Sequence, residues 1–315
     1  MQDNTVKPVI MIGAGPSALA AAIYTTREDI ATTLYEKGAI GGLAAITDIV
    51  DNYPGFPEGI GGLKLAEQLE AQAKRFGADI AYGEASALRR EDDCVVATID
   101  GRDVKAQAVL VATGSDYNKL GIPGEAEYYG RGVHYCATCD GAFYRDKRLV
   151  VVGGGNSGLQ EALFLTRYAS HIDLLVRSTV KASKVLQDDL QPYIDAGTVT
   201  VHLQTVPTEI VADEKGIVTT VKATKEGQAT EFAIDGVFVF IGLKPNTQFL
   251  AGSGVELDEL GLIKTNEKLE TNIPGVFASG DVRSGATMQV ASAVGEGATA
   301  ALNIREYLDE LKRAA

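Results

Sequence analysis

One stretch of this chain occurs twice. Residues 9–27 read VIMIGAGPSALAAAIYTTR and residues 149–167 read LVVVGGGNSGLQEALFLTR. At a constant offset of 140, Gly13 matches Gly153, Gly15 matches Gly155, Ser17 matches Ser157 and Leu19 matches Leu159. Ala22, Thr26 and Arg27 likewise match Ala162, Thr166 and Arg167. Each copy is an apolar run, a glycine turn and then apolar residues at helical spacing, which predicts strand, tight turn and helix. A second apolar run follows each copy, at 32–36 and 172–177. Two βαβ units of this kind predict an α/β protein with two doubly wound domains rather than one long sheet.

The remaining strand signals set the order of those domains. Buried-strand runs recur at 108–114 (AVLVATG), 236–242 (GVFVFIG) and 275–281 (GVFASGD). The segment 116–244 thus carries the second glycine fingerprint together with a closing strand of its own. The expectation is one Rossmann-like, three-layer domain inserted into another: residues 1–115 and 245–315 form a discontinuous domain and 116–244 the insert. The crossings at 115–121 and 243–246 hold Gly or Pro, as linkers often do. Residues 195–235 alternate as strands do, and 289–311 is alanine-rich and reads as a helix.

Composition narrows the function classes. Lys plus Arg is 29 against 42 Asp plus Glu, a net charge of −13. That balance argues against a nucleic-acid surface or an anionic membrane as partner. No run of eighteen apolar residues is present, so no membrane span is expected. Residues 1–8 are mostly polar and do not read as a signal peptide. Three cysteines are too few for a disulfide-stapled secreted scaffold. A cytoplasmic location is the default expectation.

The glycine fingerprints suit nucleotides. In Gly13-x-Gly15-x-x-Ala18 the glycines permit a tight turn and a close backbone approach to a pyrophosphate, and the following helix offers N–H donors at its positive end. Glu36 ends the next strand, where a carboxylate hydrogen-bonds a ribose hydroxyl. In the second copy, Gly153-x-Gly155-x-x-Gly158, the offset of 140 puts Val176 at that place and Arg177 beside it, with Lys181 and Lys184 following. A missing carboxylate with cations nearby is what a 2′-phosphate requires, so the second copy leans to NADPH, with NADH as the alternative.

Cys136-Ala137-Thr138-Cys139-Asp140 is the other chemical element. Two cysteines at this spacing close a small disulfide ring or provide half of a zinc site. Zinc needs two further ligands, and only Cys94, His134, His171 and His202 are available, in no second paired motif. The pair reads as redox-active, with Asp140 placed to move protons as a thiolate forms or is discharged. Cys94 reads as a structural or surface thiol. His134 precedes the pair and could tune it, but it reads first as a packing residue, as do Tyr128, Tyr129 and Tyr135.

Taken together, GAGPSA at 13–18, GG at 41–42, DNYPGFP at 51–57, ATG at 112–114, CATCDGAFYR at 136–145, GGGNSG at 153–158 and GVFASGD at 275–281 resemble the low-molecular-weight thioredoxin reductases of bacteria. These are FAD-dependent members of the pyridine nucleotide-disulfide oxidoreductases. The resemblance covers nearly the whole chain and implies that the discontinuous domain binds FAD. Gly13, Gly15, Pro16, Ser17 and Ala18 would cradle its pyrophosphate and Glu36 its ribose. Gly42 and Asn52 would lie along the flavin, and Asp281 at the ribityl or pyrophosphate region. Gly41, Leu43, Ala112, Thr113, Gly114 and Gly280 count among the cofactor contacts, and Gln289 and Val290 begin a helix aimed at the ring.

The same resemblance implies that the insert binds NADPH through Gly153, Gly155, Asn156, Ser157, Gly158, Arg177 and Lys181. It would also carry the disulfide, with Cys139 facing the flavin, Cys136 attacking the partner disulfide and Asp140 as acid/base. Rotation of the insert at the two crossings would alternate nicotinamide and dithiol at the flavin. The partner implied is thioredoxin and the assembly a homodimer. The chain departs from the family at Leu43, where glutamine is usual, at Met288, where arginine is usual, and at Ala142, where the first of two phenylalanines is usual. A different small dithiol partner, a different electron donor and a non-catalytic redox sensor are the competing readings.

Overall fold

The computed structural model describes residues 5–47 and 49–314. The chain forms two compact units, Met1–Asp116 with Lys244–Ala315, and Tyr117–Leu243.

The first unit is built on strand β1 (Lys7–Ile12), helix α1 (Pro16–Arg27), strand β2 (Thr32–Glu36) and strand β3 (Arg102–Val111). β1 lies between β2 and β3, parallel to both. Its side chains alternate between two cores. Val9 and Met11 pack with α1 residues such as Leu19, whereas Ile10 and Ile12 pack with Leu88 and Val95 from the antiparallel strands on the other side. Burial on both faces is why this strand reads as an uninterrupted apolar run. Each such fully buried side chain contributes about 1.5–3 kcal/mol from area removed from water. The full sheet runs Asp79–Tyr82, β2, β1, β3, Cys94–Ile99, Ala85–Glu91, with Val276–Ala278 beside the end of β3. α1 opens on Pro16 at its first position, where the missing N–H costs nothing. The long C-terminal helix Val290–Ala314 lies against α1.

The second unit repeats the device. It contains strand β4 (Val133–His134), the single-turn helix α2 (Ala137–Asp140), strand β5 (Arg148–Val152), helix α3 (Asn156–Leu165), strand β6 (His171–Leu175) and strand β7 (Gly236–Val239). The five-stranded sheet has the order β4, β7, β5, β6, Val199–His202 and is parallel throughout. Leu149 and Val151 face α3, and Val150 and Val152 face a three-stranded antiparallel sheet of Thr205–Ala212, Val218–Lys225 and Gln228–Ala233. Both units are therefore Rossmann-type α/β layers.

The duplication holds at the level of hydrogen bonds. Ile12 pairs with Tyr35, and Val152 pairs with Leu175, the same offset in both strands. The Gly13 N–H donates to the Tyr35 carbonyl at 2.8 Å, and the Gly153 N–H to the Leu175 carbonyl at 3.0 Å. Among the described residues no helix is long and apolar enough to cross a membrane.

Candidate active site

In the first unit Gly13 and Gly15 form the turn between β1 and α1, and Pro16, Ser17 and Ala18 open the helix. Gly13 has φ +100, and a Cβ there would lie 2.5 Å from the Ala112 carbonyl oxygen, so only glycine fits. At Gly15, the residue before α1, a Cβ would meet nothing within 4 Å, and no side chain caps the helix. Uncapped amides beside open space suit a phosphate group. Gly42 lies against Gly15, and the Gly41 N–H donates to the Ala14 carbonyl at 2.8 Å. Leu43 follows in the short helix Gly42–Ala45 and is half-buried. Gly280 packs on Ser17, whose hydroxyl shares a 2.6 Å hydrogen bond with Ser279. Ser17 is buried there and serves the fold, while Ala18 is fully buried.

Glu36 spans the turn. One carboxylate oxygen accepts the Ala14 N–H and the other the Gly38 N–H, each at 2.7 Å. It lines a cleft with Gly13, Lys37, Gly83, Thr113 and Asn246. The lone pairs left on its oxygens are free to accept ribose hydroxyls. Thr113 and Asn246 clasp one another: the Thr113 hydroxyl donates to the Asn246 carbonyl at 2.8 Å, and the Asn246 amide to the Thr113 carbonyl at 3.1 Å. The Gly114 carbonyl accepts the Asn246 N–H.

Further along, the Gly280 N–H donates to Glu296, which also receives Arg283 through both carboxylate oxygens. Burial, with Glu296 adding, pushes the neighbouring Asp281 carboxyl up to about 6. Asn52 donates to the Gln289 side chain at 3.0 Å, and Val290 begins the C-terminal helix. Met288, before them, holds φ +57 as the chain turns into that helix. The residues present fit a dinucleotide whose ribose carries free hydroxyls.

The second turn shows the same logic with different ends. Gly153 has φ +144, and a Cβ there would lie 2.2 Å from the Phe240 carbonyl oxygen. Gly155 again faces open space ahead of an uncapped helix, and Gly158 is buried under the turn. Val176, in the place of Glu36, is buried and fills the space beside Gly154. Lys37 has the carboxylate of Glu84 at 3.8 Å. Its counterpart Arg177, like Lys181, is exposed and has no carboxylate partner among the described residues. The Lys181 N–H donates to the Gly154 carbonyl at 2.7 Å, which brings this cation to the turn. Lys184 is instead paired with Asp188. Asn156 accepts the Ser183 N–H, and Ser157 is exposed on the first turn of α3.

The cysteines sit off the carboxyl end of this sheet, the edge at which doubly wound folds place ligands. The register of β4 on β7 sets His134 beside Phe238, and Cys136 follows two residues later. Cys136 precedes α2 and its sulfur accepts the Cys139 N–H at 3.1 Å. The two cysteines form a disulfide with a Cα–Cα distance of 5.3 Å, and both are half-buried. A backbone N–H aimed at the Cys136 sulfur favours its thiolate once the bond is reduced. The Asp140 N–H donates to the Cys136 carbonyl at 3.2 Å. Among the described residues no cluster suited to a metal is present.

His134, read as packing with tuning of the cysteine pair as the alternative, does stack on Phe238. Its Nδ1 also lies 3.2 Å from Asp140 Oδ2 and its Nε2 2.6 Å from the Tyr144 hydroxyl. A histidine inside an apolar run two residues before the cysteine was the available signal. Tyr135 stacks on Tyr117 and donates to the buried Glu125. Cys94 lies in the strand Cys94–Ile99, half-buried and unbonded to another sulfur.

Two Rossmann-type units with matched glycine turns, one of them bearing an accessible disulfide, define a dinucleotide-binding redox protein. The family described as pyridine nucleotide-disulphide oxidoreductase matches residues 7–297. A thioredoxin reductase of Listeria innocua is 41% identical over 99% of this chain and 97% of its own. One of Bacillus subtilis is 39% identical over 99% and 98%. The crystal structure of thioredoxin reductase from Streptococcus pyogenes superposes with a TM-score of 0.92 at 35% identity, covering 98% of this chain and all of that one. The chain belongs to the pyridine nucleotide-disulphide oxidoreductase family.

Proposed function

We propose that this chain is a thioredoxin-disulfide reductase that uses NADPH and FAD. The observation that carries the reading is a half-buried disulfide set at the carboxyl edge of a parallel sheet whose own glycine turn is shaped for a dinucleotide. The unit made of residues 1–116 and 244–315 holds FAD through the Gly13–Ala18 turn, Glu36, Gly41, Gly42, Leu43, Asn52, Ala112–Gly114, Gly280, Asp281, Gln289 and Val290. Bound there, the flavin supplies two-electron exchange between a nicotinamide and a disulfide. The unit 117–243 holds NADPH through Gly153, Gly155, Asn156, Ser157 and Gly158, and Arg177 and Lys181 bind its 2′-phosphate.

Two electrons and one proton convert Cys136–Cys139 to a Cys139 thiol and a Cys136 thiolate. The Cys136 thiolate attacks one sulfur of the thioredoxin disulfide and expels the other, giving a mixed disulfide. Cys139 then attacks Cys136, re-forms the internal bond and releases the second thioredoxin thiol. Asp140 gives and takes the proton at these steps. We further take the working form to be a cytoplasmic homodimer.

Anaerobic titration tests the assignment. NADPH is expected to bleach the yellow protein, and oxidised thioredoxin to restore the colour as its own thiols appear. A preparation that stays colourless with added flavin, or is bleached without passing electrons to thioredoxin, overturns it. Bleaching at equal affinity by NADH assigns the second turn to the nucleotide without the phosphate.

A further inference from the structure

His134 is enclosed by four neighbours. Phe238 stacks on one face of its ring and Tyr144 meets it edge-on, with ring centroids at 5.1 and 5.2 Å. Asp140 Oδ2 lies 3.2 Å from Nδ1 and the Tyr144 hydroxyl 2.6 Å from Nε2. The fourth neighbour is the β7 backbone, which fixes the ring through the β4 register. The histidine is 5% exposed. Other charged groups nearby are already engaged. Glu125 accepts Tyr135 and the amides of Leu120 and Gly121. Asp235 accepts the Arg148 N–H and lies 3.6 Å from Lys147. Asp140 is therefore the carboxylate left for the imidazole, and Tyr144 the hydroxyl.

We propose that His134 is a positioning residue for Asp140, holding one carboxylate oxygen through either of two tautomers while Tyr144 satisfies its far nitrogen. The proposal rests on the reading of Asp140 as the proton carrier. When Asp140 is ionised, neutral His134 offers it Nδ1–H and accepts the Tyr144 O–H at Nε2. Burial, with Asp140 and Asp235 adding, pushes the Tyr144 phenol up, so it keeps its proton. When Asp140 carries its proton, the acid donates to Nδ1, and Nε2–H donates to the tyrosine oxygen. The two arrangements differ by the one proton that Asp140 gains or gives up. In reduction, the S–S bond takes two electrons from the nicotinamide reductant. One sulfur takes a proton from Asp140 and the other leaves as the thiolate. The Cys136 thiolate then attacks the partner's disulfide and expels one of its sulfurs. As Cys139 closes the internal bond on Cys136 its proton returns to Asp140, and the partner leaves with both sulfurs reduced, taking its protons from water. A carboxylate with both states satisfied keeps its geometry through the cycle, which is what a positioned acid/base requires.

The test uses the full-length flavoprotein, chemically reduced and freed of reductant. Its dithiol is followed by iodoacetamide alkylation and by single-turnover reaction with an aromatic disulfide across pH 5.5–9. His134→Gln is expected to slow disulfide reaction about tenfold and to move the midpoint of the pH profile, and Tyr144→Phe to do so about threefold. Added to Asp140→Asn, either change is expected to cost less than twofold, since the route through the carboxylate is already gone. Should His134→Gln fail to fold, Tyr144→Phe, which removes one oxygen, carries the same cycle. Unchanged pH profiles, or a loss as large in the Asp140→Asn background as in the natural protein, overturn the proposal. Failure of the thioredoxin assignment would show instead in the unaltered protein with NADPH, and would leave these alkylation profiles readable.

Discussion

The contact between the C-terminal helix and α1 depends on a single missing methyl group. Gly297 faces α1 so closely that a Cβ would lie 2.1 Å from the Ser17 carbonyl oxygen. Normal contact requires well over 3 Å, so Gly297→Ala must separate the helices by roughly 1 Å or distort one of them. Forcing an extra carbon into a packed site costs about 1–3 kcal/mol, and here the obstacle is backbone, which yields least. Two positions earlier, Gly295 lies on the same helix, and a Cβ there meets nothing within 4 Å. Gly295→Ala improves helix propensity and restricts the unfolded chain, a gain of about 0.5–1 kcal/mol. The two variants are expected to differ in sign and to separate by about 1.5–4 kcal/mol. Urea unfolding followed by far-ultraviolet circular dichroism measures this directly. The separation should persist in flavin-free protein, because the clash involves only the chain. Equal shifts in the same direction would refute the packing argument.

Other expectations follow from the same geometry. Cys136→Ser or Cys139→Ser should abolish reduction of thioredoxin while the nicotinamide still bleaches the flavin, checked by stopped-flow absorbance. Arg177→Ala with Lys181→Ala should raise KM for NADPH about tenfold or more and leave NADH nearly unchanged, because two unpaired cations are lost from one anion site. The Asp281 carboxyl, pushed up to about 6 from an ordinary 3.8, should make flavin-free protein pH-sensitive. The unfolded chain ionises this acid first, so the stability the neutral acid contributes is full below pH 4. It falls as pH rises through 6, by about 3 kcal/mol in total. Asp281→Asn should remove that slope, so that its urea midpoint exceeds that of the natural protein more at pH 7.5 than at pH 5.

The fold was legible because its signals are local and repeated. An apolar run, a glycine turn and a helical pattern report a buried strand and a phosphate-shaped turn within twenty residues, and the copy at an offset of 140 excludes coincidence. The register confirms that offset in the pairs Ile12–Tyr35 and Val152–Leu175. The Cys136–Cys139 disulfide was legible for the same reason. The surroundings of Asp140 were not. His134, Asp140 and Tyr144 come from a strand, a single helical turn and a 3₁₀ turn, and the register of β4 on β7 sets the angle at which they meet. Ser17 stands in the same glycine motif, and its hydroxyl shares a 2.6 Å hydrogen bond with Ser279 that the sequence does not announce.

On the proposed assignment, the differences between the two copies account for how one fold would hold two dinucleotides without confusing them. In both, glycine geometry and an uncapped helix make a phosphate site that is indifferent to the rest of the ligand. Selectivity must therefore come from the end of the second strand. Glu36 brings a carboxylate to the first turn, which favours ribose hydroxyls and repels a 2′-phosphate. Val176 removes that charge from the second turn by burial, and Arg177 and Lys181 stand nearby without carboxylates to neutralise them. A repulsive element at one site and a free attractive one at the other discriminate more strongly than either alone, since affinity differences add while shared phosphate binding cancels. Exchanging Glu36 for a neutral residue should on this argument loosen the first site's preference without creating a 2′-phosphate site, because Lys37 has Glu84 beside it.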